Sequence, residues 1–138
     1  MLEALPPWLI VAIGGGVGAV TRYGAVEIGT TLWKLPGWVC IFGINVIGSL
    51  IAGIVLGLGG GDTVVGWIVV TGFLGGLTTF STWAVDTVLL AQSHRRGQAT
   101  FNALGTLATT IIGAWVGFLL VGGDVALLLA TAGSGGSS

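Results

Sequence analysis

Uncharged polar and aromatic residues inside otherwise apolar stretches are the first candidates for chemistry in this sequence. Asn45 stands in a long apolar run, and its side-chain amide offers two N–H donors and one carbonyl acceptor. The stretch 72–82 has a glycine pair followed by a cluster of Thr and Ser hydroxyls. Phe80 and Trp83, three residues apart, would share one helix face, and ring edges carry the positive end of the aromatic quadrupole. Such groups together could coordinate a small, hard anion without a full positive charge.

Each candidate also has a purely structural interpretation that the sequence leaves open. Asn45 could join two helices by hydrogen bonds, and Phe80 with Trp83 could be ordinary core packing. Arg22 could extend its charged end to the membrane surface, or it could raise the anion concentration in a water-filled vestibule. The residue types therefore favour an anion path without proving one.

The composition describes a membrane protein. Only 7% of the 138 residues are charged and 54% are hydrophobic, whereas about 25% of an ordinary globular domain is charged. Disordered chains are polar and charged, which excludes disorder. The formal net charge of −1 gives no counter-charge for phosphates, so nucleic acid is not expected as a partner. The lipid bilayer is the expected environment.

The charge-free runs predict the membrane-spanning helices. A bilayer core about 30 Å thick needs about 20 apolar residues in a helix. Four runs meet this length, and they predict an all-α integral membrane fold with helices near residues 8–30, 38–58, 64–91 and 98–122. We expect residues 1–133 to form one four-helix domain. Residues 134–138 read Ser-Gly-Gly-Ser-Ser, which is typical of a flexible linker tail.

The third predicted span is too long for a straight crossing. At 1.5 Å per residue an unbroken helix over 64–91 would be about 40 Å long. Gly75 and Gly76 followed by Leu77, Thr78 and Thr79 are where such a helix would open. Non-helical backbone at this depth is tolerated only inside protein or beside a cavity. The sequence therefore predicts a break here, with a simple kink as the alternative.

Several function classes lack the residues they need. No Asp, Glu, Lys or His lies near the middle of a predicted span, which argues against a proton-coupled exporter, although this stays the weaker alternative. The sequence shows neither a nucleophile–base pair nor a cluster of metal ligands, so we do not expect an enzyme.

Three motifs resemble those of the Fluc/CrcB fluoride channel family. Residues 14–23 are similar to its first-helix signature G-G-x-x-G-A-x-x-R, and residues 45–49 to its second-helix pattern N-x-x-G-S. Residues 72–82 match its third-helix motif almost letter for letter. The resemblance covers residues 8 to about 121. It implies a passive channel that exports fluoride from the cytoplasm through the cell inner membrane and so protects against fluoride toxicity.

The resemblance also implies an assembly and a set of site residues. Two four-helix subunits would pack antiparallel as a dimer of bundles, with two pores along their interface. Arg22 would lie in a vestibule, and a structural Na⁺ at the dimer centre would bind the backbone carbonyls of Gly75 and Thr78. The residues that would line the fluoride pore are Asn45, Phe80, Ser81, Thr82, Trp83 and Thr109.

Departures from the family pattern leave some points open. Trp83 stands where the family usually has a second Phe. In the fourth helix, one face carries Thr109 with two glycines and the neighbouring face carries Asn102, Thr106 and Thr110, and the sequence does not decide which face lines a pore. A non-conducting partner subunit is therefore a further alternative.

The loop charges predict an orientation. Lys34, Arg95 and Arg96 fall on one side of a four-span topology, and the positive-inside rule places that side in the cytoplasm. Because an antiparallel homodimer needs chains inserted both ways, this bias suggests a second, oppositely oriented homologue as the natural partner. A homodimer of this chain is the alternative.

Overall fold

The computed structural model describes residues 6–122, which are helical almost throughout. Within this range four spans are long and apolar enough to cross a membrane: Pro7–Thr31, Gly37–Gly57, Val64–Gln92 and Arg96–Leu120. The predicted all-α fold with four spans is confirmed, and every predicted end lies within two residues of the observed one. The predicted tail at 134–138 lies outside the described residues, and the single domain over 1–133 stays a prediction.

The third span consists of two helices rather than one. We number the helices α1 (Pro7–Thr31), α2 (Gly37–Gly57), α3 (residues 64–77), α4 (Phe80–Gln92) and α5 (Arg96–Leu120). A short 3₁₀ turn, Gly60–Asp62, precedes α3. Thr78 and Thr79 separate α3 from α4 with extended backbone, at ψ 156° and ψ 123°. The predicted break is confirmed, and it lies two residues after the glycine pair.

Two helices contain a widened segment. The middle of α3, Trp67–Leu74, and the beginning of α5, Phe101–Gly105, are π-helical. Such turns change the register of the side chains that follow, and they often occur at functional sites. Both segments lead towards the level of the break in the third span.

Glycines bring the helices close enough for their backbones to touch. A Cβ on Gly18 would collide with the backbone of Phe73 in α3, and one on Gly76 would collide with the backbone of Gly15 in α1. The pair α2–α5 is packed in the same way, since a Cβ on Gly53 would meet the carbonyl of Ala114. Without water to drive association, close backbone packing is a main source of stability between membrane helices.

Large apolar side chains cover much of the described surface. Val20, Trp33, Leu58 and Leu120 are each about 70% exposed, and most of their neighbours on the outer faces are also apolar. A soluble domain rarely exposes apolar patches of this extent. The outer faces therefore suit lipid or another membrane subunit.

Candidate functional site

The break between α3 and α4 is built from the hydroxyls of its own threonines. Thr79 caps α4, because its Oγ1 accepts a hydrogen bond from the backbone N–H of Thr82 at 3.3 Å. At the end of α3, the Thr78 hydroxyl donates to the carbonyl of Leu74 at 2.9 Å. Local bonds thus stabilise both helix ends, and they leave the peptide groups of Thr79 for another helix.

Asn45 of α2 binds the opened backbone. Its Nδ2 donates to the Thr79 carbonyl at 3.2 Å, and its Oδ1 accepts from the Thr79 N–H at 2.9 Å. Asn45 is only 6% exposed, so both peptide groups are satisfied away from water. The interpretation of Asn45 as a link between helices is therefore correct for these two bonds. Its second amide N–H has no acceptor among residues 6–122 and remains available as a donor.

An open cavity of about 200 Å³ lies beside this pair. Helices α2, α4 and α5 and the break contribute side chains to it, so it collects residues that are distant in sequence. Its lining combines hydroxyl, amide and aromatic groups with one leucine: Asn45, Ser49, Thr78, Thr79, Phe80, Trp83, Thr106, Leu107 and Thr110. The Thr106 hydroxyl is buried and has no hydrogen-bond partner within the described range. The cavity thus brings together the amide of Asn45, threonine and serine hydroxyls and two aromatic rings, and it contains no charged side chain among its lining residues.

Phe80 and Trp83 form the aromatic wall of the cavity. Their ring centres are 4.9 Å apart with a 50° angle between the planes, so they pack against each other at a tilt. Phe80 is 77% exposed although it is large and apolar, whereas Trp83 is half-buried. Core packing within this chain therefore does not account for the position of Phe80.

Arg22 lies in a second cavity, of about 350 Å³, on the other side of the break. Thr82 and Asp86 of α4 line the same cavity. The guanidinium of Arg22 donates through Nη1 to the Thr78 carbonyl at 3.3 Å, which fixes its charge next to the break. Arg22 therefore reaches inwards along the bundle instead of extending to the membrane surface.

The predicted pore residues do not all lie together. Asn45, Phe80 and Trp83 line the first cavity, whereas Thr82 lies with Arg22 in the second. Ser81 is exposed, and its hydroxyl is 3.3 Å from Thr79 Oγ1. Thr109 lines neither cavity, and its hydroxyl donates to the carbonyl of Gly105 in the same helix at 2.6 Å. On α5 the structure favours the neighbouring face, with Thr106 and Thr110.

Two carbonyls near the break suit a hard cation. The Thr79 N–H bonds to Asn45, so the Gly75 carbonyl four residues earlier lacks its usual helical partner. Gly75 lies on an exposed face. The Thr78 carbonyl accepts one bond from Arg22 and keeps a second lone pair. Hard cations prefer oxygen ligands such as backbone carbonyls. Two carbonyls are too few to form a complete cation site, so these two would supply at most part of such a site.

Sequence reasoning did not name Ser49 as a pore residue, although it lines the cavity and lies four residues after Asn45, a spacing that was the available signal. Thr106 and Thr110 were named only as one of two open faces of the fourth helix. The fully buried Asn102 was recognised only as a member of one face of the fourth helix. Its partners are 15 and 19 residues away in sequence, and no local pattern indicates them.

Comparison with known proteins places the chain in a family. The family model described as "CrcB-like protein, Camphor Resistance (CrcB)" matches residues 9–118. A "Fluoride-specific ion channel FluC" from Novosphingobium aromaticivorans is 38% identical over 120 residues, which cover 82% of this chain and 94% of the relative. A "Fluoride-specific ion channel FluC 2" from Natronomonas pharaonis is 40% identical over 119 residues, which cover 85% of this chain and 96% of the relative.

These matches confirm the resemblance of the three motifs, and they exceed what composition alone would produce. The match to the family model, residues 9–118, extends into all four spans and includes the break, the Asn45 position and the aromatic pair. The relatives are named as ion channels, and the family is one of channels and not of enzymes. This chain, a multi-pass membrane protein with four spans, belongs to the CrcB family of fluoride channels.

Proposed function

We propose that this chain forms a passive, fluoride-selective channel in the cell membrane, through which fluoride leaves the cytoplasm and its toxicity is avoided. The observation that carries the proposal is the cavity at the break, where an amide, hydroxyls and aromatic rings meet without a charged lining residue. Relatives named as fluoride-specific ion channels support the choice of anion.

The donors of the cavity suit a small, strongly hydrated anion. The second N–H of Asn45 has no protein partner in the described part of the chain, so it can replace water around the ion. The Thr106 hydroxyl also has no partner there, and a turn of its side chain would bring this buried donor to the ion. The ring edge of Phe80 adds a weaker positive potential. Channel sites must bind weakly enough to release the ion, and neutral donors meet this requirement better than a fixed cation would.

The charges of the two cavities support the proposed vestibule and the proposed passive mechanism. Arg22, beside the break, raises the local concentration of anions, and Asp86 in the same cavity limits this effect. The residues that line the first cavity carry no titratable side chain that could couple transport to protons. Fluoride therefore moves down its own gradient.

A second subunit completes the pore in this proposal. Phe80, Ser81 and Gly75 are exposed in the single chain, so residues that would contact the ion or a cation lie on an open face. An antiparallel copy would cover this face and double its two cation-binding carbonyls to four. Such a site would hold a structural Na⁺ through Gly75 and Thr78. Dimers should then melt at a higher temperature in Na⁺ than in N-methylglucamine, and equal melting would speak against the Na⁺ site.

The identity of the second subunit depends on membrane orientation. Lys34 follows α1, and Arg95 and Arg96 lie between α4 and α5, so a four-span topology places these charges on one side. We propose that this side is cytoplasmic and that an oppositely oriented homologue is the natural partner. A cysteine placed in the 92–97 loop, after removal of Cys40, should be labelled from one side only. Equal labelling from both sides would support a homodimer instead.

The decisive experiment measures anion efflux from liposomes that contain the purified protein. Fluoride should leave within the assay time while chloride is retained. Equal release of both anions, or no fluoride release, would contradict the proposal for this chain acting alone. If fluoride release appears only after an oppositely oriented homologue is added, the chain is a partner subunit.

A further inference from the structure

Trp83 is bound at both its ring and its backbone by α5. Its indole Nε1 donates to the carbonyl of Asn102 at 2.7 Å. The Asn102 side chain returns a bond, from Nδ2 to the Trp83 carbonyl at 3.3 Å. This reciprocal pair joins α4 to α5 directly beside the cavity.

The π-helical segment of α5 makes the Asn102 carbonyl available. In a regular α-helix this carbonyl would accept the N–H of Thr106, four residues later. Here the Thr106 N–H donates to Ala103 instead, so the Asn102 carbonyl can receive the indole. The widened turn of α5 thus supplies the hydrogen-bond acceptor for the Trp83 indole in the aromatic wall.

Thr87 completes the arrangement. Asn102 is fully buried, and its Nδ2 also donates to Thr87 Oγ1 at 2.8 Å. The Thr87 hydroxyl in turn donates to the Trp83 carbonyl at 2.8 Å. We call these three residues, Trp83, Thr87 and Asn102, the tryptophan clamp. The Asn102 carbonyl binds the indole N–H, and the side chains of Thr87 and Asn102 bind the backbone carbonyl of Trp83, so the ring cannot turn without breaking its bond to α5.

The indole N–H would be a strong donor if it faced the cavity. The clamp directs it to a protein carbonyl, and Trp83 therefore offers only carbon-bound hydrogens to the space beside Phe80. We propose that Thr87 and Asn102 are positioning residues, which act through Trp83 to keep this N–H out of the ion path. The inference rests on the proposed function, because a free donor there would hold fluoride too tightly for rapid release.

A double-mutant cycle tests the proposal by fluoride efflux. Thr87→Val keeps the volume and removes the hydroxyl with its two part-buried hydrogen bonds, so efflux should fall on the order of fivefold or more. Thr87→Ser keeps the hydroxyl and should retain efflux. In a Trp83→Phe background, which has no indole N–H, Thr87→Val should change efflux by less than about twofold. An equal fall in efflux on Thr87→Val in both backgrounds would overturn the proposal. Thr87 would then only join α4 to α5.

A matched control excludes a general effect of losing a threonine hydroxyl in a helix. The Thr30 hydroxyl also donates to a carbonyl four residues earlier, in α1, but Thr30 does not line the cavity. Thr30→Val should leave efflux unchanged in both backgrounds. A fall equal to that of Thr87→Val would contradict the clamp.

A spectroscopic measurement keeps the clamp testable even without conduction. In protein labelled with 5-fluorotryptophan, the ¹⁹F resonance lost in Trp83→Phe identifies the Trp83 ring. Thr87→Val should shift this resonance more than that of any other tryptophan, whereas Thr30→Val and Thr87→Ser should not. An unmoved Trp83 resonance would overturn the clamp. If wild-type protein passes no fluoride, the proposed function fails, and the resonance still decides whether the clamp exists.

Discussion

The packing of α2 against α5 and the break in the third span both hold helices together within the membrane, but through different interactions. Where α2 meets α5, Gly53 and Gly117 let two intact backbones touch, and side-chain size alone decides the fit. At the break, the backbone is open, and Asn45 satisfies the freed peptide groups of Thr79. Substitutions should therefore act through volume in the first region and through hydrogen-bond capacity in the second.

The largest effect is expected at the close-packed pair. A Cβ at Gly53 would collide with the Ala114 carbonyl, and backbone atoms cannot rotate away. Gly53→Val should cost more than about 3 kcal/mol and prevent a monodisperse protein, as judged by size-exclusion chromatography. Gly97→Ala is the control, because within residues 6–122 its added Cβ would meet no atom of another helix within 4 Å. Normal elution of Gly53→Val would show that the backbones do not touch.

Substitutions of Asn45 should act through the hydrogen bonds that are lost and not through a change in side-chain volume. Asn45→Ala would leave the buried N–H and C=O of Thr79 unpaired, at about 1–3 kcal/mol for each group, and should lower the melting temperature. Asn45→Asp keeps an acceptor for the Thr79 N–H but has no donor for the carbonyl or the ion. We expect its dimer to assemble while fluoride efflux nearly disappears. Wild-type efflux from Asn45→Asp would contradict a role of the amide in conduction.

Phe80 should act through its ring edge. Phe80→Ile keeps an apolar side chain of similar size but loses the edge, so liposome efflux should fall by about tenfold or more, a change of about 1.4 kcal/mol in the barrier. Phe80→Tyr keeps the ring and should do less harm. Phe118→Ile, at an aromatic pair with Trp115 away from the cavity, is the control. Equal behaviour of the two Phe80 variants would mean that Phe80 only fills space.

The smallest effect should distinguish the two faces of α5. Thr106→Val removes the unpaired hydroxyl in the cavity and should lower efflux a few-fold, which corresponds to about 1 kcal/mol. Thr109→Val removes a hydroxyl that already bonds within its own helix, so little change is expected. A larger loss of efflux in Thr109→Val than in Thr106→Val would instead support the Thr109 face, which the family resemblance implied.

The spans and the break could be predicted because their causes are local. Charge-free runs fix the number of crossings, and a glycine pair before threonines marks where a helix opens. Asn45, Phe80 and Trp83 were found because a polar or paired aromatic residue in an apolar run is unusual. In the structure the three residues line one cavity, and their roles stay predictions.

The site features that could not be predicted depend on helix register and on contacts between residues that are distant in sequence. The π-helical segment Phe101–Gly105 has no distinctive composition, yet it decides how the residues after it are directed. Spacing arguments that assume a regular helix therefore do not select between Thr106 and Thr109. The bond from Trp83 to Asn102 likewise depends on how α4 lies against α5, which no single segment encodes.

The Asn45–Thr79 pair also bears on how the chain enters the membrane. The two residues are 34 positions apart, and α2 is synthesised before the broken span. When the open backbone of Thr79 reaches the lipid, its hydrogen-bond partner is already in place. A gap that would be costly in an isolated helix is therefore satisfied during synthesis, before α5 has emerged. The order of the helices along the chain thus protects the break from exposure to lipid.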